Sequence, residues 1–148
     1  MKQLSQLVFI FLFVSCNSKA DAIDNLTAPE TFAFQLINKD NGENLFTNKI
    51  LDSKKINVKN LDSGEIVKHS FVSQNNLDLI VLENVGRESE TVNYSINVDD
   101  ESIFELHLDA ILTKEENSDY EYQNIEITNK ESNLDKTSGV YKVFVAME

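Results

Sequence analysis

Three side chains that could bind a metal ion or activate a water molecule share one face of a predicted strand. Glu105, His107 and Asp109 alternate with apolar residues, and residues at i, i+2 and i+4 of a strand project the same way, about 7 Å apart in succession. Such a row offers the ligands of a divalent ion and the groups of general acid–base catalysis. The spacing is too wide for one ion to touch all three without help from a neighbouring strand, and a solvated strand face is the competing interpretation.

Acidic and amide-rich turns are the other places where a cation such as Ca²⁺ could bind. Asp99, Asp100 and Glu101 follow one another at a predicted strand junction. A second stretch, with Asn38, Asp40, Gly42 and Asn44 at alternate positions, resembles the start of a calcium loop, but the twelfth position, which needs an acid, is Lys49. Solvated turns also explain both stretches. We therefore predict no metal centre and no cofactor, with Ca²⁺ as the ion to test.

The remaining reactive side chains lack the neighbours that catalysis needs. His69 lies between Val67 and Phe71, which indicates a packed or edge histidine. Tyr120 and Tyr122 alternate with acids, where core packing competes with stacking on a sugar or on a protein partner. The sequence contains no Gly-x-Ser-x-Gly turn, no His-Glu-x-x-His motif and no phosphate-binding glycine loop. We therefore predict no catalytic residue and no enzymatic activity.

A short apolar run near the N-terminus ends at the single cysteine of the chain. The run covers residues 7–14, which is far short of the about 20 residues that span a bilayer but has the size of a signal-peptide h-region. It ends in Phe-Val-Ser-Cys at positions 13–16. These four residues resemble a lipobox, the cleavage site of bacterial lipoprotein signal peptidase, with Phe13 where leucine is usual. The resemblance implies that residues 1–15 are removed and that Cys16 carries a diacylglyceryl thioether, usually with an acylated amine.

Residues 16–30 are predicted to form a flexible tether between this lipid and a folded domain. They are mostly small or polar and show no periodicity, and about 15 flexible residues have a root-mean-square reach of roughly 20 Å. Lys19, Asp21 and Asp24 resemble the lysine-then-acidic signal of Bacteroidota surface lipoproteins, with Ala20 interrupting the pair. We therefore expect a lipid anchor in the outer membrane, with the periplasmic face and the cell surface both open.

Alternation of apolar and polar residues dominates the rest of the chain. Strict alternation marks strands with one buried and one solvated face, whereas residues 77–82 and 140–147 are apolar at most positions, as in central strands. A change of phase in the strand over residues 120–128 predicts a bulge near Gln123 and Asn124. The alternating segments are residues 32–36, 56–58, 92–98 and 104–112, and the single candidate helix, of at most a turn or two, is residues 43–51.

Seven or eight short strands at roughly 10-residue spacing predict a two-sheet sandwich. We expect one all-β domain over residues 31–148, an antiparallel β-sandwich. The layout resembles the immunoglobulin-like and transthyretin-like domains of small envelope lipoproteins, without the Cys-Trp-Cys core of antibody domains. Because the resemblance rests on pattern alone, it implies no functional residues.

The charge balance limits the partners of this domain. The chain has 13 basic and 25 acidic residues and a net charge of −12, and binding to a phosphate backbone depends on Lys and Arg releasing counterions. We therefore predict no nucleic-acid partner and expect membrane contact through the N-terminal lipid. The expected function is that of a non-enzymatic envelope lipoprotein, an interaction module for a protein or a glycan. A carboxylate-based hydrolase and a structural envelope protein that self-associates through an edge strand are the alternatives.

Cys16→Ala tests the lipid anchor. We expect the variant to incorporate no labelled palmitate and to leave the membrane fraction, because the thioether sulfur is missing, whereas the neighbouring change Ser18→Ala retains both properties. Palmitate incorporation by Cys16→Ala would contradict the lipobox. Absence of label from the unaltered chain would also contradict it, and would leave a buried strand or an ordinary cleaved signal, each with a free thiol, as the alternatives.

Overall fold

The structure of the protein is a computed structural model that describes residues 31–74, 77–87, 90–114 and 119–147. The signal peptide, the lipidated Cys16 and the tether lie outside these residues and stay predictions. Within the described ranges, no helix has the length and the apolar character needed to cross a membrane.

Nine strands in the described ranges form two sheets. They are β1 (Phe32–Asn38), β2 (Ile56–Asn60), β3 (His69–Gln74), β4 (Leu77–Leu82), β5 (Glu90–Val98), β6 (Glu101–Lys114), β7 (Asp119–Thr128), β8 (Glu131–Asp135) and β9 (Val140–Val145). The five-stranded sheet has the order β3-β4-β1-β9-β8, and the four-stranded sheet has the order β2-β5-β6-β7. The predicted all-β, two-sheet sandwich is therefore confirmed, with one strand more than the upper expected number.

One strand pair departs from the predicted antiparallel arrangement. β1 runs parallel to β9, in register from Ala33 opposite Val140 to Asn38 opposite Val145, while its other edge pairs antiparallel with β4. Alternation has the same period in parallel and antiparallel strands, so the sequence pattern could not distinguish the two. The pairing puts the first and the last strand side by side in the middle of the five-stranded sheet.

Buried side chains from both sheets form one hydrophobic core. Phe34 on β1 and Phe104 on β6 are fully buried and meet across the sandwich, with ring centroids 5.1 Å apart and ring planes tilted by 49°. Removal of such apolar surface from water is the main driving force for folding, at about 25 cal/mol per Å². Other fully buried members are Leu36, Leu45, Ile80, Leu82, Ile96, Leu106 and Leu108.

The predicted bulge is present where β7 pairs with β6. Glu126 lies opposite His107 and Gln123 lies opposite Asp109, so two β7 residues occupy the interval that one residue occupies on β6. Asn124 has a φ of 52°, in the left-handed region that Asn tolerates better than most residues. The extra residue changes the phase of the strand, so the side chains on both sides of it reach the core.

Residues 43–51 form successive turns without an α-helix. The side-chain oxygen of Asn44 accepts hydrogen bonds from the backbone N–H groups of Phe46, at 2.9 Å, and Thr47, at 3.2 Å, which fixes the first turn. Leu45 and Phe46 are buried, so this loop closes one opening between the sheets. A single 3-10 turn, Ser53–Lys55, then leads into β2.

The connection that leaves β4 is locked against the opposite sheet by two tyrosines. The Tyr122 hydroxyl donates a 2.9 Å hydrogen bond to the carbonyl oxygen of Val85, and the Tyr120 hydroxyl donates to the carbonyl oxygen of Arg87. Between these points Gly86 has a φ of 67°, and a Cβ atom on it would overlap the Cβ of Ala110. Glycine is therefore required here both for backbone conformation and for space.

Gly86→Ala should destabilise the domain more than Gly42→Ala. Both glycines have positive φ, but a Cβ at Gly42 meets no atom within 4 Å. A left-handed alanine costs about 1–2 kcal/mol at either site, and the overlap at Gly86 adds about 1–3 kcal/mol. Chemical denaturation of the two variants measures the difference, and equal losses in the free energy of unfolding would contradict the close packing.

Candidate functional site

The row of Glu105, His107 and Asp109 lies on the outer face of the four-stranded sheet, where each side chain has a polar neighbour on an adjacent strand. The Nδ1 atom of His107 lies 2.7 Å from the Oδ1 atom of Asn93. The Thr128 hydroxyl donates a long hydrogen bond of 3.4 Å to Glu105. The three residues therefore share a face, as predicted, but their hydrogen bonds run across the sheet and not along the row.

Asp109 is the most strongly engaged member of the row. The side-chain amide of Asn124 and the hydroxyl of Thr91 each donate a 2.7 Å hydrogen bond, one to each carboxylate oxygen. These bonds lower the pKa of Asp109 below its ordinary value, with the bond from Asn124 as the larger cause and the bond from Thr91 as the second. The carboxylate is thus held ionised by neutral donors. Among the described residues, no three His, Cys, Asp or Glu side chains come together in a way that could hold a metal ion.

The acidic run Asp99-Asp100-Glu101 forms the tight turn between β5 and β6. Asp99 and Asp100 both have positive φ values, 56° and 71°, as the two-residue turns that suit a twisted hairpin require. The Asp99 carboxylate forms an ion pair with Lys55 and raises the pKa of that ammonium group. Glu101 already belongs to β6, where it pairs with Val98. Asp99 and Asp100 therefore provide the backbone conformation of the turn, and Asp99 also forms one surface ion pair.

The calcium-like stretch over residues 38–44 uses its side-chain oxygens as acceptors for nearby backbone groups. The Oδ1 atom of Asn38 accepts from the N–H of Asp40 at 2.8 Å, and Asn41 accepts in the same way from Glu43 at 3.0 Å. Asn44 caps the following turn. These local bonds fold the loop back on itself.

The two other predicted candidates are structural. His69 is the half-buried first residue of β3, with Nδ1 3.5 Å from the carbonyl oxygen of Val67, in agreement with a packed or edge histidine. Tyr122 packs edge-on against Phe32 at a centroid distance of 5.3 Å, and Tyr120 stacks on Tyr122 at 6.5 Å. Core packing therefore accounts for Tyr122, and Tyr120 is held by stacking on that ring and by its hydrogen bond to Arg87.

The surface that the sequence interpretation missed is an edge of the five-stranded sheet. β3 contains no Lys, Arg, Asp, Glu or Pro, and its register with β4 is continuous from His69 opposite Leu82 to Gln74 opposite Leu77. Among the described residues no strand pairs with its outer side. The sequence does contain an indication of this edge, because residues 69–74 form a run without Lys, Arg, Asp or Glu. However, the position of a strand at an edge depends on the order of strands in the sheet, and the alternation of residues does not determine that order.

The other three edge strands in the described sheets are protected, each in a different way. β7 is bulged and has exposed acids, and β8 begins with the exposed Glu131 and ends at Asp135. The outer side of β2 is covered by its own chain, because the N–H of Asn60 bonds to the carbonyl of Glu65 at 2.9 Å and that of Val67 to Val58 at 2.8 Å. Charge, bulges and coverage are the usual devices against unwanted strand pairing.

A groove of about 760 Å³ runs between β3 and the loop that contains Phe46. Phe46 and Phe71 meet edge-on at its apolar end, with centroids 5.0 Å apart. At the other end lie Ser73 of β3 and the carboxylate of Asp78 on β4, whose residue is only 7% exposed. The groove therefore adjoins the unprotected edge and combines an apolar wall with a buried acid.

Comparisons with protein-family models, with curated proteins and with solved structures found no match. The immunoglobulin-like or transthyretin-like resemblance therefore stays a prediction from the strand pattern.

Asn124→Gly should raise the pKa of Asp109 towards its ordinary value, because it removes the larger of the two stabilising hydrogen bonds while tolerating the positive φ. A carboxyl carbon titration by NMR measures this pKa. Since the folded-state pKa is lowered, the associated stability is present above the ordinary pKa and is lost as the pH falls through the folded-state value. The matched control is Asn129→Gly, also at positive φ, and an unchanged Asp109 titration in Asn124→Gly would contradict the assignment.

Proposed function

We propose that the protein is a lipid-anchored, non-enzymatic interaction module of the bacterial cell envelope, which binds an extended segment of a protein partner along the outer edge of β3. The observation that carries the proposal is the lack of any protective device on this edge, in a domain whose other described edges are all protected. An edge strand presents unpaired backbone N–H and C=O groups. A partner segment that adds one more strand can satisfy them.

The face of the sheet next to this edge supports the same proposal. Val72 of β3 and Leu79 of β4 lie opposite each other on the outer face and are half-buried. Val81 lies one row further on beside Ala33, and Leu77 is 48% exposed. An added strand would place alternate side chains against this apolar surface, which gives it a hydrophobic contribution in addition to backbone hydrogen bonds.

The polar face of the four-stranded sheet favours a structural role over a catalytic one. His107 is engaged by Asn93, and Asp109 by Thr91 and Asn124. A general base is most effective when its pKa lies near the working pH, whereas the hydrogen bonds from Asn124 and Thr91 lower the pKa of Asp109. This is why the proposal prefers an interaction module to a carboxylate-based hydrolase.

The anchor and the net charge bear on the kind of partner. The chain enters β1 at Phe32, and β4 separates β1 from β3, so the proposed tether would not join the fold at the β3 edge. A second copy of the chain could also pair along β3. However, two copies with a net charge of −12 each repel one another, so the proposal commits to a different protein.

A photo-crosslinker introduced at Gln74 tests the edge in living cells. We expect p-benzoylphenylalanine at this exposed β3 position to give a discrete adduct whose mass differs from that of two copies of the chain. The same group at Asn133 on β8 should give no adduct. Ser70→Lys puts a charge on the β3 edge and should abolish the adduct. The matched control Ser132→Lys, on the opposite edge of the same sheet, should leave it unchanged.

Three results would overturn this function. An adduct with the mass of two copies of this chain would show that the β3 edge binds a second copy and not a different protein. Equal adducts from Gln74 and Asn133, or an adduct that is insensitive to Ser70→Lys, would show that β3 is not the binding edge.

A further inference from the structure

Asp78 is a buried acid without a cationic partner among the described residues. Its Oδ2 atom accepts a 2.5 Å hydrogen bond from the Thr47 hydroxyl, and its residue is 7% exposed. The ion pairs of the described residues join Lys39 to Glu131, Lys55 to Asp99, and Lys142 to Asp135. None of them involves Asp78.

A buried carboxylate is costly unless a charge or several hydrogen bonds compensate for lost water. Thr47 supplies one neutral hydrogen bond. Lys49 and Asp52 line the same groove, and their opposite charges cancel, so the negative charge of Asp78 is left as the net charge of the groove. A cation that enters the groove would therefore gain an interaction in a partly desolvated site, where it is stronger than at the surface.

The register of the sheet shows how a strand on β3 would deliver such a cation. Ser73 lies directly opposite Asp78, and its small side chain leaves the path from the edge to the carboxylate open. A residue opposite Ser73 on an added strand would lie two strand spacings from Asp78, about 10 Å between Cα atoms. The long side chain of Lys or Arg, together with that of aspartate, spans this distance.

The next inward-facing position on the added strand meets a different wall of the groove. It lies two residues away, about 7 Å along the strand, and faces Phe71, which packs against Phe46. An apolar side chain fits this end and would bury surface against both rings. The two positions therefore differ in the chemistry that they accept.

We propose that the segment bound by β3 carries a Lys or Arg residue and, two positions away, an apolar residue, both directed into the groove, and that the basic side chain forms an ion pair with Asp78. The proposal rests on the proposed function, because it specifies what the same edge recognises. It places sequence specificity in the groove and general affinity in the backbone hydrogen bonds of β3.

Two blocked peptides test this specificity. The first is acetyl-Thr-Leu-Thr-Arg-Thr-Leu-Thr-amide, which offers the basic–x–apolar spacing in both strand directions. The second has citrulline, an uncharged analogue of similar shape, in place of arginine. We expect the full mature chain in detergent micelles to bind the arginine peptide roughly tenfold more tightly by isothermal titration calorimetry, a difference typical of a partly buried charge pair.

Asp78→Asn should reduce the preference for arginine to nearly none while leaving the affinity for the citrulline peptide unchanged. The variant retains an oxygen to accept from Thr47, and its thermal transition checks that it folds. The matched control Asp40→Asn removes the same charge from an exposed loop position and should keep the preference. Ser73→Lys provides a second check. The introduced lysine should form an ion pair with Asp78, and should therefore abolish the preference for arginine without unfolding the domain.

The outcomes separate this inference from the function on which it rests. Equal binding of both peptides to the unaltered chain would overturn the ion pair and leave edge pairing intact. Preference for arginine that survives both Asp78→Asn and Ser73→Lys would place the basic residue elsewhere and also overturn the inference. Failure of both peptides to bind, together with loss of the crosslink at Gln74, would overturn the proposed function itself.

Discussion

The parallel pairing of β1 with β9 is the constraint on which the rest of the domain depends. It occupies one side of β1 with the last strand of the chain, so β4 must take the other side. The hairpin partner of each neighbour is then pushed outward, β8 beyond β9 and β3 beyond β4. The open edge at β3, the groove beside it and the position of Asp78 all follow from this single pairing.

The outer face of the four-stranded sheet is polar, whereas the outer face of the five-stranded sheet is apolar near β3 and β4. On the four-stranded sheet, Asn, Thr, Ser and acidic side chains hydrogen-bond across strands, as Asn93 does with His107. On the five-stranded sheet, Val72, Leu79 and Val81 leave fewer polar groups to satisfy. Burial of polar side chains gains little, because their hydrogen bonds with water are exchanged for similar ones, so the apolar part has more to gain from a partner.

Local patterns in the sequence were sufficient for the strands but not for their arrangement. The alternation at residues 92–98 and 104–112 predicted β5 and β6, and the change of phase before Ile125 predicted the bulge at Asn124. These features depend on a few adjacent residues. The parallel β1–β9 pair joins residues more than a hundred positions apart, and no local periodicity records which distant strands become neighbours.

The same limit explains the outcome for the candidate site. Placing Glu105, His107 and Asp109 on one face required only the period of a strand, and that placement is correct. Their actual partners, such as Thr91, come from adjacent strands, so their chemical role could not be derived from spacing. Asp78 had no distinguishing sequence context, because a single acid in the apolar segment over residues 77–82 becomes notable only when its neighbours are known.

The position at which the chain enters the fold has a mechanical consequence. Any pull transmitted through the residues before Phe32 acts on β1, which is held by β4 on one side and by β9 on the other. A force directed along β1 loads the backbone hydrogen bonds of both ladders in shear, so that many bonds resist together instead of opening one after another. If the proposed anchor holds the chain before Phe32, the domain would bear tension through its central strand while the β3 edge, two strands away, keeps its shape.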